Sequence, residues 1–248
     1  MTADGERVIP PQSNGSTYKR RAAERAIEFV ESGMVVGLGH GSTAAFAIER
    51  IARLLRVGRL RDIVAVPCSK VVTKRAEALG VPLTSLDDHP LIDLTIDGAD
   101  EVDPEMDLIK GGGGALLREK IVAFASRREM IVVDETKLSP CLGTRFALPV
   151  EVVPFARTTE ASYIASLGAE VALRGGEQPF RTDAGNVILD CRWPAIRDKQ
   201  DLASRLDARP GIVAHGLFIG VATDLVVAGP EGVRHTVRTT RGREDESP

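Results

Sequence analysis

The sequence has little of what several protein classes require. Its 248 residues include three cysteines, an odd number, which lie far apart and without CxxC spacing. We therefore expect neither a disulfide framework nor a zinc site, and a reducing environment is indicated. The 32 Lys and Arg residues against 35 Asp and Glu residues give a net charge of -3 without a basic block, so nucleic acid is not an expected partner.

Long apolar segments are also missing. The start, MTADGERVIPPQSNGSTYKRR, lacks the apolar centre of a signal peptide, and no uninterrupted apolar run approaches the length that crosses a membrane. We therefore predict a cytoplasmic protein without a membrane partner. Residues 1–16 and 239–248 are polar and are predicted to be disordered tails.

Between these ends, short apolar segments of strand character alternate with amphipathic helical segments. The strand-like segments are MVVGLG, IVAVPCS, LIDLTID and EMIVVD. Such alternation is typical of a mainly parallel sheet covered by helices on both faces, as in doubly wound α/β folds. We assign residues 17–146 to this large domain, together with 218–238, which read as a hairpin around the turn GPEG.

The pattern of elements changes at about residue 147. From there the segments read as strand, helix, strand, strand, helix and strand, which is a split βαββαβ order. We assign residues 147–217 to a small α+β domain.

The segment GLGHGSTA lies where a strand meets a helix. Gly39 and Gly41 with Ala44 fit the dinucleotide pattern G-x-G-x-x-A, but the following strand, IVAVPCSK, does not end in the acidic residue that this pattern needs. Bare N–H groups at such a helix start favour an anion such as phosphate. A tight turn, with Ser42 or Thr43 as the N-cap, is the alternative.

The segment DGADEVDPEMDLIK is rich in carboxylates. Asp97 ends a buried strand, where ligands collect in open α/β sheets, and Asp100 can share the same pocket. A solvated turn is the alternative for these two residues, and it is preferred for Glu101, Asp103, Glu105 and Asp107. A Mg²⁺ or Ca²⁺ site is disfavoured, because the EF-hand spacing is absent and Lys110 would compete with a cation.

The segment KGGGGALLREK forms a second anion-receptive loop, because four glycines leave the backbone unshielded. On the helix that follows, Glu119 falls in line with Leu116 and Ala123, beside apolar residues. Its pKa can thereby be raised as a general base requires, although a first-turn Glu that favours the helix dipole is an equal alternative. The expected core stripe of this helix comprises Leu117, Ile121 and Phe124.

Five segments, GLGHGSTA, DGADEVD, KGGGGALLREK, VVDETK and LPVEVVPFA, resemble in sequence and order those of type A ribose-5-phosphate isomerases. The resemblance implies reversible conversion of ribose 5-phosphate to ribulose 5-phosphate through a cis-enediol(ate), in the non-oxidative pentose phosphate pathway. No metal and no organic cofactor are expected. The implied fold is a three-layer, Rossmann-like α/β domain with a small ferredoxin-like α+β domain, in a homodimer or homotetramer.

The resemblance also implies roles for individual residues. Glu119 would move a proton between C2 and C1, Asp97 and Asp100 would handle hydroxyl protons and assist ring opening, and Lys110 would stabilise the developing oxyanion. The expected substrate-binding residues are His40, Gly41, Ser42, Thr43, Asp97, Gly98, Ala99, Asp100, Lys110, Gly111, Gly112, Gly113, Lys137 and Lys19.

One residue departs from the family pattern. His40 stands where family members commonly have threonine. A titratable imidazole ring therefore replaces a hydroxyl group at the edge of the pocket. The main alternative function is a catalytically silent sugar-phosphate-binding sensor of the same fold. The intact acidic residues and lysine argue against it, as does the lack of a basic helix-turn-helix segment. A related deaminase or lactonase would need its own acid–base motif, and none replaces Glu119.

Overall fold

The computed structural model describes residues 14–239. The helices are α1 (Asn14–Ile27), α2 (Ser42–Arg56), α3 (Lys70–Ala78), α4 (Leu116–Phe124), α5 (Arg157–Ser166) and α6 (Lys199–Asp207). The strands are β1 (Val35–Leu38), β2 (Val64–Pro67), β3 (Leu94–Asp97), β4 (Glu101–Val102), β5 (Leu108–Ile109), β6 (Glu129–Asp134), β7 (Leu148–Val152), β8 (Glu170–Leu173), β9 (Val187–Arg192), β10 (Ile212–His215), β11 (Leu217–Phe218), β12 (Asp224–Gly229) and β13 (Gly232–Val237).

The central sheet has six strands in the order β13-β12-β6-β3-β1-β2. All neighbours are parallel except the β12–β13 hairpin. Along β6, Met130 and Val132 pack into the cluster that contains α1 and α2, whereas Ile131 and Val133 pack on the side of Ala123 in α4. Both faces are therefore covered, and the predicted three-layer α/β fold is confirmed.

The order of the central strands creates a crevice between β1 and β3. From β1 the chain moves to β2 on one side, and from β2 it crosses back to β3 on the other side. Leu38 and Ile96 are register partners, so the loops that follow these two parallel strands emerge at the same sheet edge. Ligands in open α/β sheets bind at such a switch point, outside the carboxyl ends of the strands.

The second sheet has four antiparallel strands in the order β10-β7-β9-β8 and carries α5 and α6. Numbered within this unit, the order is 4-1-3-2, which the split βαββαβ chain order produces. This part of the fold therefore has the predicted ferredoxin-like α+β arrangement. Its core is a separate apolar cluster that includes Val150, Leu189 and Trp193. The assigned boundaries at 147 and 217 remain a prediction.

A third, three-stranded antiparallel sheet, β11-β5-β4, was not predicted. The stretch that we expected to be a solvated turn begins with β4 and continues as the turn between β4 and β5. The expected exposure to solvent is wrong for three of its carboxylates. Glu101 is buried and accepts hydrogen bonds from three backbone N–H groups and a threonine hydroxyl of a later loop. Asp103 and Asp107 are buried against Lys199 of α6, and only Glu105 is exposed.

The ends of the described chain bear on two further expectations. Because α1 begins at Asn14, residues 14–16 are helical and not part of a tail. The rest of the predicted tails, 1–13 and all but one residue of 239–248, lies outside the described residues. Within 14–239, no helix is both long and apolar enough to cross a membrane.

Candidate active site

A pocket opens at the switch point between β1 and β3. Two residues of the predicted set, Asp97 and Gly112, are not part of its lining. The lining comprises Lys19, His40, Gly41, Ser42, Thr43, Gly98, Ala99, Asp100, Lys110, Gly111, Gly113, Glu119 and Lys137. The fold thus brings together residues from four separate segments and from α1, while their chemical roles stay predictions.

Lys110 is the central charge of the site. It follows β5 directly, is 1% exposed, and its Nζ lies 2.6 Å from the Gly98 carbonyl, 2.9 Å from Asp97 Oδ2 and 3.0 Å from Glu119 Oε1. Burial alone would lower the pKa of Lys110, but the Asp97 and Glu119 carboxylates outweigh burial and raise the pKa. Lys110 therefore stays protonated, with its three N–H donors directed at three acceptors.

Asp97 connects Lys110 to both loops at the crevice. Its Oδ1 accepts hydrogen bonds from the backbone N–H of His40, at 2.9 Å, and from that of Gly98, at 2.7 Å. A side chain at position 39 would be impossible here, because a Cβ on Gly39 would lie 2.2 Å from Asp97 Oδ1. With its oxygens occupied and 1% exposure, Asp97 holds the positions of Lys110 and the first glycine loop.

Glu119 lies in the first turn of α4 and is 5% exposed. Lys110 binds its Oε1, whereas its Oε2 has no hydrogen-bond partner among the described residues. Burial raises the pKa of Glu119 to about 7, Lys110 opposes this rise and Asp97 adds to it. A carboxylate with one unpartnered oxygen and a near-neutral pKa is suited to accept a proton and return it.

The face of α4 that is buried differs from our expectation. Ile121 is 47% exposed and Phe124 is 71% exposed, so the predicted core stripe is wrong at these two positions. Its third residue, Leu117, is partly buried and packs against an apolar cluster. Apolar residues occupy two sides of this helix, and helical spacing alone cannot choose between them; packing against the sheet decides. The buried residues of α4 are Leu116, Glu119, Val122 and Ala123.

The first glycine loop ends at the start of α2. Gly41 is the N-cap, with φ 102° and no side-chain cap, so the alternative in which Ser42 or Thr43 caps this helix is wrong. The first N–H groups of α2 therefore start at the pocket without a capping side chain. Lys19, from α1, donates to Ser42 Oγ at 3.1 Å. A helix N-terminus beside an ammonium group is an electrostatically favourable position for a phosphate.

His40 bridges the two glycine loops. Its Nδ1 lies 2.9 Å from Ser69 Oγ, and its ring lies so close to Gly113 that a Cβ there would come within 2.4 Å of it. Burial lowers the pKa of His40, and the Asp97 carboxylate opposes this effect. The ring is therefore neutral at pH 7 and becomes a cation only in more acidic solution.

Two site features were missed by reasoning from the sequence. The guanidinium of Arg174, which follows β8, donates to two carbonyls of the second glycine loop. Glu129 begins β6 and is 1% exposed, and neither carboxylate oxygen has a hydrogen-bond partner among the described residues. An acidic residue at the start of the apolar strand EMIVVD was a visible signal for Glu129, whereas nothing local marked Arg174.

No group of three or more His, Cys, Asp or Glu side chains within residues 14–239 is arranged to hold a metal ion. At the crevice, the ammonium of Lys110 lies between the carboxylates of Asp97 and Glu119. The expectation that the reaction needs no metal and no cofactor stays a prediction.

The family model described as ribose 5-phosphate isomerase A (phosphoriboisomerase A) matches residues 64–232. The chain belongs to this family. Ribose-5-phosphate isomerase A of Chloroflexus aurantiacus is 57% identical over 228 residues, covering 91% of this chain and 95% of that protein. The similarity thus includes both the central sheet and the four-stranded sheet.

Solved structures of the family agree with the fold. A D-ribose-5-phosphate isomerase in complex with phospho-erythronic acid has a TM-score of 0.88 at 38% identity, covering 91% of this chain and 100% of that one. Ribose 5-phosphate isomerase from Plasmodium falciparum has a TM-score of 0.87 at 36% identity, covering 90% and 98%. At these identities the likeness extends beyond the fold to the family.

Proposed function

We propose that this chain interconverts D-ribose 5-phosphate and D-ribulose 5-phosphate through an enediol(ate), as a step of the non-oxidative pentose phosphate pathway. The observation that carries the proposal is the buried arrangement in which Lys110 binds Asp97 and one oxygen of Glu119, while the other Glu119 oxygen has no partner among the described residues. This is a base beside a fixed cation, next to two anion-receptive loops.

The phosphate of the substrate binds at the start of α2 in this proposal. Gly41 and Ser42 supply backbone N–H groups, and Lys19 and Lys137 supply positive charge at the pocket lining. Phospho-erythronic acid, with which one related isomerase was solved, carries a phosphate and a carboxylic acid. That pair of anionic groups resembles the phosphate and the enediolate of the proposed intermediate, so this compound is a suitable probe of the pocket.

Asp100 is the better candidate for moving hydroxyl protons. It lines the pocket and has one oxygen bound to the Gly112 N–H at 2.7 Å, which leaves the other for substrate hydroxyls. Asp97 lies outside the lining and its oxygens are occupied by His40, Gly98 and Lys110. We therefore assign Asp97 to orienting Lys110, and Asp100 to ring opening and hydroxyl proton transfer.

The proton transfer follows from the pairing of Lys110 with Glu119. In the direction from aldose to ketose, Glu119 takes the proton from C2, the C1–C2 double bond forms, and negative charge develops on the former carbonyl oxygen. Protonation neutralises Glu119 and weakens its hold on Lys110, so that the ammonium can turn toward the oxyanion. Asp100 then moves the proton of the C2 hydroxyl to the C1 oxygen, so that the carbonyl forms at C2. As it forms, Glu119 returns its proton to C1, which yields the ketose without net change in the protein.

The first experiment measures turnover and binding by the wild-type protein. In buffer with EDTA and no added metal, ribose 5-phosphate should be converted to ribulose 5-phosphate, and phospho-erythronic acid should inhibit competitively. Binding of ribose 5-phosphate without turnover would instead support the sensor alternative. Turnover that requires added metal would contradict the proposed metal-free mechanism.

We also propose that the protein works in the cytoplasm as a homodimer or homotetramer. Exposed apolar side chains support an association surface, since Phe155 is 99% exposed and Phe124 is 71% exposed. Light scattering of the purified protein should give two or four times the chain mass of 26.6 kDa. A mass of one chain would contradict this part of the proposal.

A further inference from the structure

The four-stranded sheet extends an arginine to the second glycine loop. Arg174 follows β8, is mostly buried, and forms a two-pronged ion pair with Asp190 of β9, with Nε lying 2.9 Å from Oδ2. Its remaining guanidinium nitrogen, Nη1, donates to the Gly111 carbonyl at 3.0 Å and to the Gly112 carbonyl at 3.2 Å. The pair with Asp190 fixes the plane of the guanidinium, so its direction toward the loop is set.

Holding these two carbonyls also sets the direction of the next two N–H groups. Across a planar trans peptide, the carbonyl of one residue and the N–H of the next point in opposite directions. The N–H groups of Gly112 and Gly113 are therefore directed away from Arg174. That of Gly112 donates to Asp100 Oδ2 at 2.7 Å, and Gly113 lines the pocket.

The loop needs such support because its own sequence gives it little stiffness. Residues 111–114 are four glycines, which have the widest range of backbone conformations, and Gly111 has φ 103° and Gly114 φ 80°. Phe180 packs on the same segment, since a Cβ on Gly114 would lie 2.5 Å from its ring. The guanidinium carbon of Arg174 is 6.0 Å from the centre of that ring.

We propose that Arg174 is a positioning residue of the active site, which holds the second glycine loop so that its N–H groups orient Asp100 and face the substrate. The inference rests on the proposed isomerase function and deepens it. It gives the four-stranded sheet a part in positioning the active site, because Arg174 and Asp190 both belong to that sheet or its connections.

An ordinary structural ion pair is the competing explanation, and the chain contains a matched example. Arg209 pairs with Glu160 by the same two-pronged geometry, at 2.9 Å and 3.2 Å, between the loop after α6 and helix α5. It has no hydrogen bond to the glycine loop among the described residues. Arg209→Met therefore removes a comparable ion pair of the same unit without touching the site.

The test compares wild type, Arg174→Met, Arg174→Lys and Arg209→Met. We expect Arg174→Met to raise KM for ribose 5-phosphate at least about threefold and to lower kcat/KM more than KM rises, because Asp100 also loses its orientation. Hydrogen–deuterium exchange of the peptide containing residues 111–114 should be faster in Arg174→Met and in Arg174→Lys than in wild type. Arg209→Met should keep wild-type kinetics and wild-type exchange in that peptide.

Three results would overturn the proposal: a KM change below about threefold in Arg174→Met, unchanged exchange of the loop, or the same kinetic defect in Arg209→Met. If Arg174→Met does not fold, Arg174→Lys decides by the same criteria, since lysine cannot keep both the pair with Asp190 and the two carbonyls. Wild-type protein that binds ribose 5-phosphate without turnover would remove the proposed function alone. In that case the role of Arg174 is decided by two measurements on Arg174→Met: hydrogen–deuterium exchange of residues 111–114 and the Kd for ribose 5-phosphate.

Discussion

Lys110 Nζ lies 3.0 Å from Glu119 Oε1, and both side chains are almost completely buried. The pKa values of both groups are raised, for different reasons. The carboxylates around Lys110 raise its pKa, whereas burial raises the pKa of Glu119 toward neutrality despite the ammonium. Lys110 therefore keeps its proton, whereas Glu119 can take up and release a proton near pH 7. Proton transfer beside a carbonyl requires one group of each kind.

The pH dependence of turnover should report on Glu119. Because this residue must be deprotonated to act as a base, kcat/KM should rise with pH and level off above about 7. Glu105→Gln, which changes an exposed carboxylate of the preceding segment, should leave the profile unchanged. Initial rates across the pH range provide the measurement. A rising limb below about pH 5, where an ordinary carboxylic acid titrates, would contradict the role of burial.

Removing the cation should destabilise the fold. Lys110→Met leaves Asp97 and Glu119 as two buried carboxylates without their ammonium partner, and breaking a buried pair in this way costs about 3–5 kcal/mol. The free energy of unfolding, measured in urea, should fall by that order, and turnover should be lost. Adding Glu119→Gln to Lys110→Met should recover part of the stability. If Lys110→Met alone were as stable as wild type, the pair of Lys110 and Glu119 would not be buried as described.

Glu129 should make the stability of the fold depend on pH. Burial raises its pKa well above 4.5, with Asp97 adding to the effect, so the folded state binds the proton more tightly than the unfolded chain. Its favourable contribution is complete below about pH 4.5 and decreases as the pH rises toward the folded-state value. In Glu129→Gln a neutral amide takes its place, so the stability advantage of the variant over wild type should grow with pH.

Urea unfolding of both proteins at several pH values tests this expectation. A difference in free energy of unfolding that is independent of pH would contradict the inference that Glu129 is protonated in the folded state.

The elements nearest the site were predictable because they are local in sequence. Asp97 ends a strand, Lys110 and Glu119 flank one glycine-rich loop, and the parallel strand order brings these segments to one edge. Burial of Glu119 followed from its alignment with Leu116 on the helix. Each of these inferences needed no contact between distant parts of the chain.

The missed features depend on contacts between distant segments. Arg174 is 63 residues from Gly111, and Lys199 is 96 residues from Asp103, so no local pattern marks either contact. The prediction of which face of α4 is buried was wrong for a related reason, because Ile121 is as apolar as the buried Val122. Only packing against the sheet distinguishes the two sides of that helix.

His40 should change the pH dependence of substrate binding. Burial lowers its pKa, so the ring becomes a cation only below its ordinary value of 6.5. If that charge lies near the phosphate, the ratio of wild-type KM to His40→Thr KM should fall as the pH drops below 6.5. The ratio removes the titration of the substrate phosphate, which both proteins share. A ratio that stays constant with pH would contradict a role for the His40 charge in binding the phosphate.

The most direct test of the account is Glu119→Gln, measured for turnover and for binding of ribose 5-phosphate, with Glu105→Gln as the control. The amide keeps the size of the side chain but cannot accept a proton as the carboxylate does. We predict a loss of kcat of about 10²–10⁴-fold with Kd nearly unchanged, because general base catalysis typically contributes that factor. A variant that retains wild-type kcat would contradict the assignment of Glu119 as the base.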